Sequence, residues 1–85
     1  MPTLRQQFGN RIKSIRKERG LTHEQFAELV GISVDFLSLI ERGINAPSFE
    51  VLEKMAEGLR SPVREFFDFR KPSGAYRKSG KPPTP

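Results

Sequence analysis

The stretch from Leu21 to Gly43, LTHEQFAELVGISVDFLSLIERG, constrains the fold of this chain more than any other. It contains two short runs of helical periodicity that meet at Gly31. In the first, Thr22 followed three residues later by Gln25 has the form of a capping box, and Phe26, Ala27, Leu29 and Val30 supply an inward stripe. In the second, Ser33 is placed to cap the first turn and Gly43 to end the helix in the left-handed conformation. Two short amphipathic helices joined by Gly31-Ile32-Ser33 have the sequence form of a helix-turn-helix, a form shared by other short helical hairpins.

The second of these helices has a face with no use inside a core. At about 100° per residue, Phe36, Leu37 and Ile40 fall in one arc, whereas Val34, Asp35, Ser38, Leu39 and Arg42 spread over the opposite side. One side anchors the helix and the other is presented outward.

The flanking sequence supplies the rest of an all-α domain. Thr3 and Gln6 form a second capping-box pattern, opening a first helix in which Leu4, Phe8, Ile12 and Ile15 share a face and which runs to about Arg19. Ser48 caps a fourth helix with Phe49, Leu52, Met55, Ala56 and Leu59 inward, and Gly58 near its end weakens it by up to about 1 kcal/mol. Ser61-Pro62 has the form of an N-cap followed by proline at the first helical position, opening a short fifth helix with Val63, Phe66 and Phe67 on one side and Phe69 off the stripe. The expected architecture is a compact five-helix domain over residues 1–69. Residues 70–85, RKPSGAYRKSGKPPTP, have five cations, no anions and four prolines, the composition of a disordered basic tail.

Charge and composition narrow the function. The net charge is +5, yet residues 1–69 hold ten Lys or Arg against ten Asp or Glu, so the whole excess lies in the tail. Within the domain, residues 1–19 carry six cations and one anion, and residues 20–69 carry four against nine. Bulk charge is therefore a weak argument for nucleic acid, and local geometry has to carry it. Without cysteine there is no disulfide framework, thiolate nucleophile or zinc-thiolate site. No apolar run approaches the roughly 20 residues that span a bilayer, and no secretory signal pattern appears, so the expected setting is cytoplasmic with no membrane partner. His23 is the only histidine, which argues against a metal site. No nucleophile and base, phosphate loop or paired acids suggest an enzyme, and neither a cofactor nor a small-molecule ligand is expected.

Residues 8–69 resemble the lambda-repressor-like, or xenobiotic-response-element, helix-turn-helix regulators of bacteria and phages. The resemblance rests on RIKSIRKERGLT (Arg11 to Thr22), FAELVGIS (Phe26 to Ser33), SLIERG (Ser38 to Gly43) and PSFEVLEKMA (Pro47 to Ala56). The run FLSLIERGINAPS is also similar to small stand-alone regulators, among them restriction-modification controller proteins. The resemblance implies that the third helix enters the major groove of double-stranded DNA and that Val34, Asp35, Ser38 and Leu39 meet base edges, four of the five residues that periodicity already turns outward. It implies phosphate contacts at Thr22 and His23, at the start of the second helix, and at Arg42 to Asn45 on the other side. It further implies an ion pair between Arg16 and Glu41, in line with the oddity of an acid in a last helical turn, where it opposes the macrodipole.

Two departures from the family stand out. Leu39 and Val34 are apolar where polar readers are common, and Ile44-Asn45-Ala46 lacks the cations often found in that loop. Arg42 reads equally as a cation at a helix C-terminus, and Arg11, Lys13 and Lys17 read as a solvated face. The tail cations and Tyr76 suit either nucleic-acid contact or simple solubility.

The short fifth helix cannot bury Phe66, Phe67 and Phe69 together, so one or two of them are expected to meet a second subunit of a homodimer. The leading expectation is a transcriptional regulator reading a pseudo-palindromic operator as such a homodimer. The alternative is a protein-interaction module on the same fold, as an antitoxin or regulatory subunit uses it.

Overall fold

The computed structural model describes residues 1–70, so the expectations for Tyr76 and for the tail beyond Arg70 lie outside the described residues. Four α-helices follow in order: α1 (Leu4–Glu18), α2 (His23–Val30), α3 (Val34–Glu41) and α4 (Phe49–Leu59). The fifth element is a 3-10 helix, Val63–Phe67, rather than the expected α-helix. Arg11 of α1 holds this element in place, its Nε donating at 2.8 Å to the Glu65 carbonyl, which also accepts from the Asp68 amide at the helix end. Nor does Ser61 cap it. Instead the Ser61 hydroxyl sits beside the end of α4, accepting from Arg19 Nη2 at 2.9 Å and donating to the Leu59 carbonyl at 3.4 Å.

The helix starts are fixed where the sequence places them. The Thr3–Gln6 and Thr22–Gln25 capping boxes are both closed, and the Ser33 and Ser48 hydroxyls accept from the amides of Phe36 and Val51 at 3.0 and 3.2 Å. Each satisfies an amide that the first helical turn leaves unpaired, a contribution of about 1 kcal/mol per cap. Gly31, at φ 81°, turns the chain from α2 toward α3.

A single core joins all five elements. Phe8, Ile12 and Ile15 of α1, Phe26, Ala27 and Val30 of α2, Leu37 and Ile40 of α3, and Leu52, Met55 and Leu59 of α4 are buried together with Phe66. The burial of Phe66 corrects its assignment to a subunit interface, because its ring is fully covered by the chain's own helices, while Phe67 is partly exposed and Phe69 half-buried.

Three other apolar residues expected in the core are not there. Leu4 and Phe49 occupy the first turns of α1 and α4, beyond the edge of the packed layer, and are exposed. Leu29 lies about 110° round the helix from the centre of the arc formed by Phe26, Ala27 and Val30, which points it outward.

The helices approach closely at two glycines. A Cβ on Gly58 would stand 2.6 Å from the Leu29 carbonyl, so Gly58 is where α4 crosses α2 rather than a simple weak point. Gly9 plays the same part between α1 and the end of α3, where a Cβ would overlap the Ile40 carbonyl and stand 2.9 Å from that of Glu41.

Candidate nucleic-acid interface

The outward side of α3 is built from the turn upward. Gly31 and the Ser33 cap aim the helix, Leu37 and Ile40 anchor it in the core with Phe36 packed beside them, and the remaining positions are left over. Val34 and Asp35 are exposed in the first turn, Ser38 and Leu39 are half-buried one turn on, and Arg42 is exposed at the C-terminal cap. These five residues form one continuous side of the helix.

Past α3 the chain stays tied to the end of the helix. The amides of Ile44 and Asn45 both donate to the Leu39 carbonyl, at 3.0 and 3.2 Å, so the loop is hydrogen-bonded to the helix it follows. Gly43, at φ 77°, permits this turn and lies against Gln6 of α1, where a Cβ would come within 2.8 Å of Gln6 Cγ. Ile44 is exposed and Asn45 half-buried. Val34 and Leu39 give the outward side of α3 an apolar character, and Ile44 adds an exposed apolar side chain in the loop that follows.

The helix-turn-helix is locked by one buried ion pair. Arg16 Nε donates to Glu41 Oε2 at 2.7 Å and Arg16 Nη2 to Glu41 Oε1 at 3.1 Å, a two-pronged contact between α1 and the last residue of α3. Both side chains are more than nine-tenths covered. The remaining guanidinium nitrogen, Nη1, donates to the Leu21 carbonyl at 3.1 Å, which holds the loop leading into α2. A bidentate guanidinium–carboxylate pair of this kind fixes orientation as well as distance.

The sequence did not signal the third member of this cluster. His23 Nε2 lies 3.1 Å from Glu41 Oε1, so the imidazole is turned toward α3 and is half-buried rather than open at the helix start. Thr22 is exposed, but its hydroxyl accepts from the Gln25 amide at 3.1 Å as the cap of α2. Arg11, expected on a solvated face, is buried against the 3-10 helix through Glu65, whereas Lys13 and Lys17 are exposed.

Gly9 and Arg11 were also missed as positioning residues. A glycine within a strong helical pattern was the available signal for Gly9, since the roughly 1 kcal/mol it costs in a helix suggests a packing reason. For Arg11 the signal was its place on the apolar stripe of α1, three residues after Phe8 and four before Ile15, whereas Lys13 and Lys17 fall on the opposite side.

Comparison with known proteins agrees with this geometry. Residues 12–66 match the family model described as helix-turn-helix, HTH_3. The chain is 44% identical over 58 residues to the HTH-type transcriptional regulator YazB of Bacillus subtilis, covering 68% of this chain and 84% of YazB. It is 39% identical over 62 residues to the HTH-type transcriptional regulator SinR of the same organism, covering 72% of this chain but only 56% of SinR, so it spans about half that relative's length. Among solved structures, the restriction-modification controller protein C.AhdI from Aeromonas hydrophila superposes with a TM-score of 0.71 at 32% identity, covering 74% of this chain and 96% of C.AhdI. Together with the capped helix pair and the Arg16–Glu41 lock, these matches establish that the chain belongs to the lambda-repressor-like helix-turn-helix family HTH_3.

Proposed function

We propose that this chain is a cytoplasmic, sequence-specific double-stranded DNA-binding regulator that acts as a homodimer on a pseudo-palindromic operator and performs no chemistry. The observation that carries this reading is the outward side of α3, where Val34, Asp35, Ser38 and Leu39 stand clear of a core that already holds Leu37 and Ile40. Val34 and Leu39 suit thymine methyl groups, the Ser38 hydroxyl suits several base edges, and the Asp35 carboxylate suits a cytosine amino group. Thr22, His23, Arg42 and Asn45 flank this strip and take the phosphates on either side, which sets position rather than sequence.

A two-fold dimer places two such helices about 34 Å apart, one turn of the duplex. Phe67 and Phe69, which the core leaves partly uncovered, contribute to the contact between subunits.

Selection from a random duplex pool at two salt concentrations tests the reading. Enrichment of an inverted repeat with half-sites one helical turn apart supports it, and salt-sensitive binding without enrichment contradicts it.

The apolar character of Val34, Leu39 and Ile44 favours a second reading, in which the same surface docks on a protein as an antitoxin or regulatory subunit would. A duplex pool that yields no binding at low salt favours that reading.

A further inference from the structure

His23, the only histidine of the chain, stands between a buried carboxylate and the surface. Its Nε2 lies 3.1 Å from Glu41 Oε1, while 42% of its side chain stays exposed. Both Glu41 oxygens already accept from Arg16, at 2.7 and 3.1 Å, so the carboxylate has its counter-charge without the imidazole. What His23 offers Glu41 is a hydrogen rather than a charge.

That contact fixes the tautomer. An ionised carboxylate only accepts, so Nε2 carries the hydrogen, and in the neutral ring Nδ1 is left as an acceptor. A phosphate oxygen is an acceptor too. The neutral imidazole can therefore serve Glu41 or a phosphate but not both, whereas the imidazolium has a hydrogen on each nitrogen and serves the two together.

We infer that binding of a DNA phosphate at His23 takes up a proton, so that an imidazolium bridges Glu41 and the phosphate and affinity falls as pH rises. The inference rests on the phosphate contact proposed above for His23 and adds its dependence on pH. The surrounding charges leave this linkage in place. The end of α3 supplies Glu41 and Arg42, α1 supplies Arg16, and Glu24 is the neighbour on α2. Packing against α4 lies toward the other end of α2, where Gly58 meets the Leu29 carbonyl and Lys54 approaches Gly31. Glu24 and Arg42 are exposed, opposite in sign and in no ion pair among the described residues. The uncompensated negative charge is thus the one the duplex brings.

The sign follows from proton linkage. Where the free ring is already protonated, affinity is flat with pH; above that range each subunit must gain a proton to bind, and affinity falls by up to about tenfold per pH unit per subunit.

The test is the affinity of the full 85-residue chain for its selected duplex at constant salt. Between about pH 6 and pH 8 the wild-type affinity is expected to fall by about tenfold or more. The His23 ring resonances, which no other histidine can overlap, are expected to move toward the imidazolium position when duplex is added at fixed pH. His23→Gln keeps an amide donor for Glu41 but cannot titrate, and its pH profile is expected to be flat whatever its absolute affinity. Sequence-selective binding that does not change with pH, ring resonances that the duplex leaves unmoved, or a pH dependence undiminished in His23→Gln overturns the proton linkage while leaving the regulator reading standing. A wild type that selects no duplex removes both.

Discussion

Gly9 of α1 packs directly against the backbone carbonyls of Ile40 and Glu41, so the end of the proposed recognition helix rests on the backbone of the first helix with no side chain between them. This contact sets the depth of α3, and the Arg16–Glu41 pair one helical stretch away sets its angle. How far the outward face of α3 stands from the body of the domain therefore depends on two residues on the opposite side of the helix.

Gly9→Ala is expected to destabilise the domain by about 1–3 kcal/mol, because the clashing atoms are backbone carbonyls that cannot rotate away. The better helix propensity of alanine offsets only about 1 kcal/mol of the clash. Urea denaturation measures the loss, and amide chemical-shift changes should concentrate at Ile40 and Glu41.

Glu41→Ala leaves Arg16 buried and unpaired and is expected to cost roughly 3–5 kcal/mol. Replacing both partners by apolar residues of similar volume, Arg16→Met with Glu41→Leu, is expected to cost much less, since no charge is then stranded. His23→Ala removes only the outer contact to Glu41 and is expected to cost about 0.5–1.5 kcal/mol. Thermal melts of the four proteins give the ranking, and a Glu41→Ala melt equal to the wild type would contradict the lock.

Arg60 ends α4 in the left-handed conformation, at φ 55°, the one non-glycine residue among those described to do so. Its Cβ makes that conformation cost about 1–2 kcal/mol, partly offset because glycine is freer in the unfolded chain. Arg60→Gly is expected to raise stability by about 0.5–1 kcal/mol, read as a higher denaturation midpoint at unchanged slope.

Arg42 caps α3 and is exposed, a position equally suited to the helix C-terminus and to a phosphate. If it holds a phosphate as proposed, Arg42→Ala lowers the slope of log affinity against log salt by about 1 per subunit while the selected sequence stays the same. An unchanged slope assigns Arg42 to helix capping alone.

Much of this fold was legible in the sequence because it depends on local rules. Thr3, Thr22, Ser33 and Ser48 announce the four α-helices, and the 100° periodicity separates Leu37 and Ile40 from Val34, Asp35 and Ser38 without any knowledge of tertiary structure. Errors arose where a residue's fate depends on distant parts of the chain. Phe49 and Leu4 fit the periodicity of their helices but lie one turn past the packed layer. Arg11 bonds the Glu65 carbonyl of the 3-10 helix from 54 residues away, and Gly58 packs on a carbonyl in α2. The orientation of His23 toward Glu41 likewise depends on how α2 and α3 cross, which no local pattern specifies.

The central claim, that the outward side of α3 chooses the base pairs, is tested most directly by repeating the duplex selection with Ser38→Ala and Leu39→Ala in one protein whose melting temperature matches the wild type. The predicted result is a selected motif altered at positions related by the two-fold axis, with the salt dependence of binding unchanged. An identical motif from the wild type and the variant would contradict the claim.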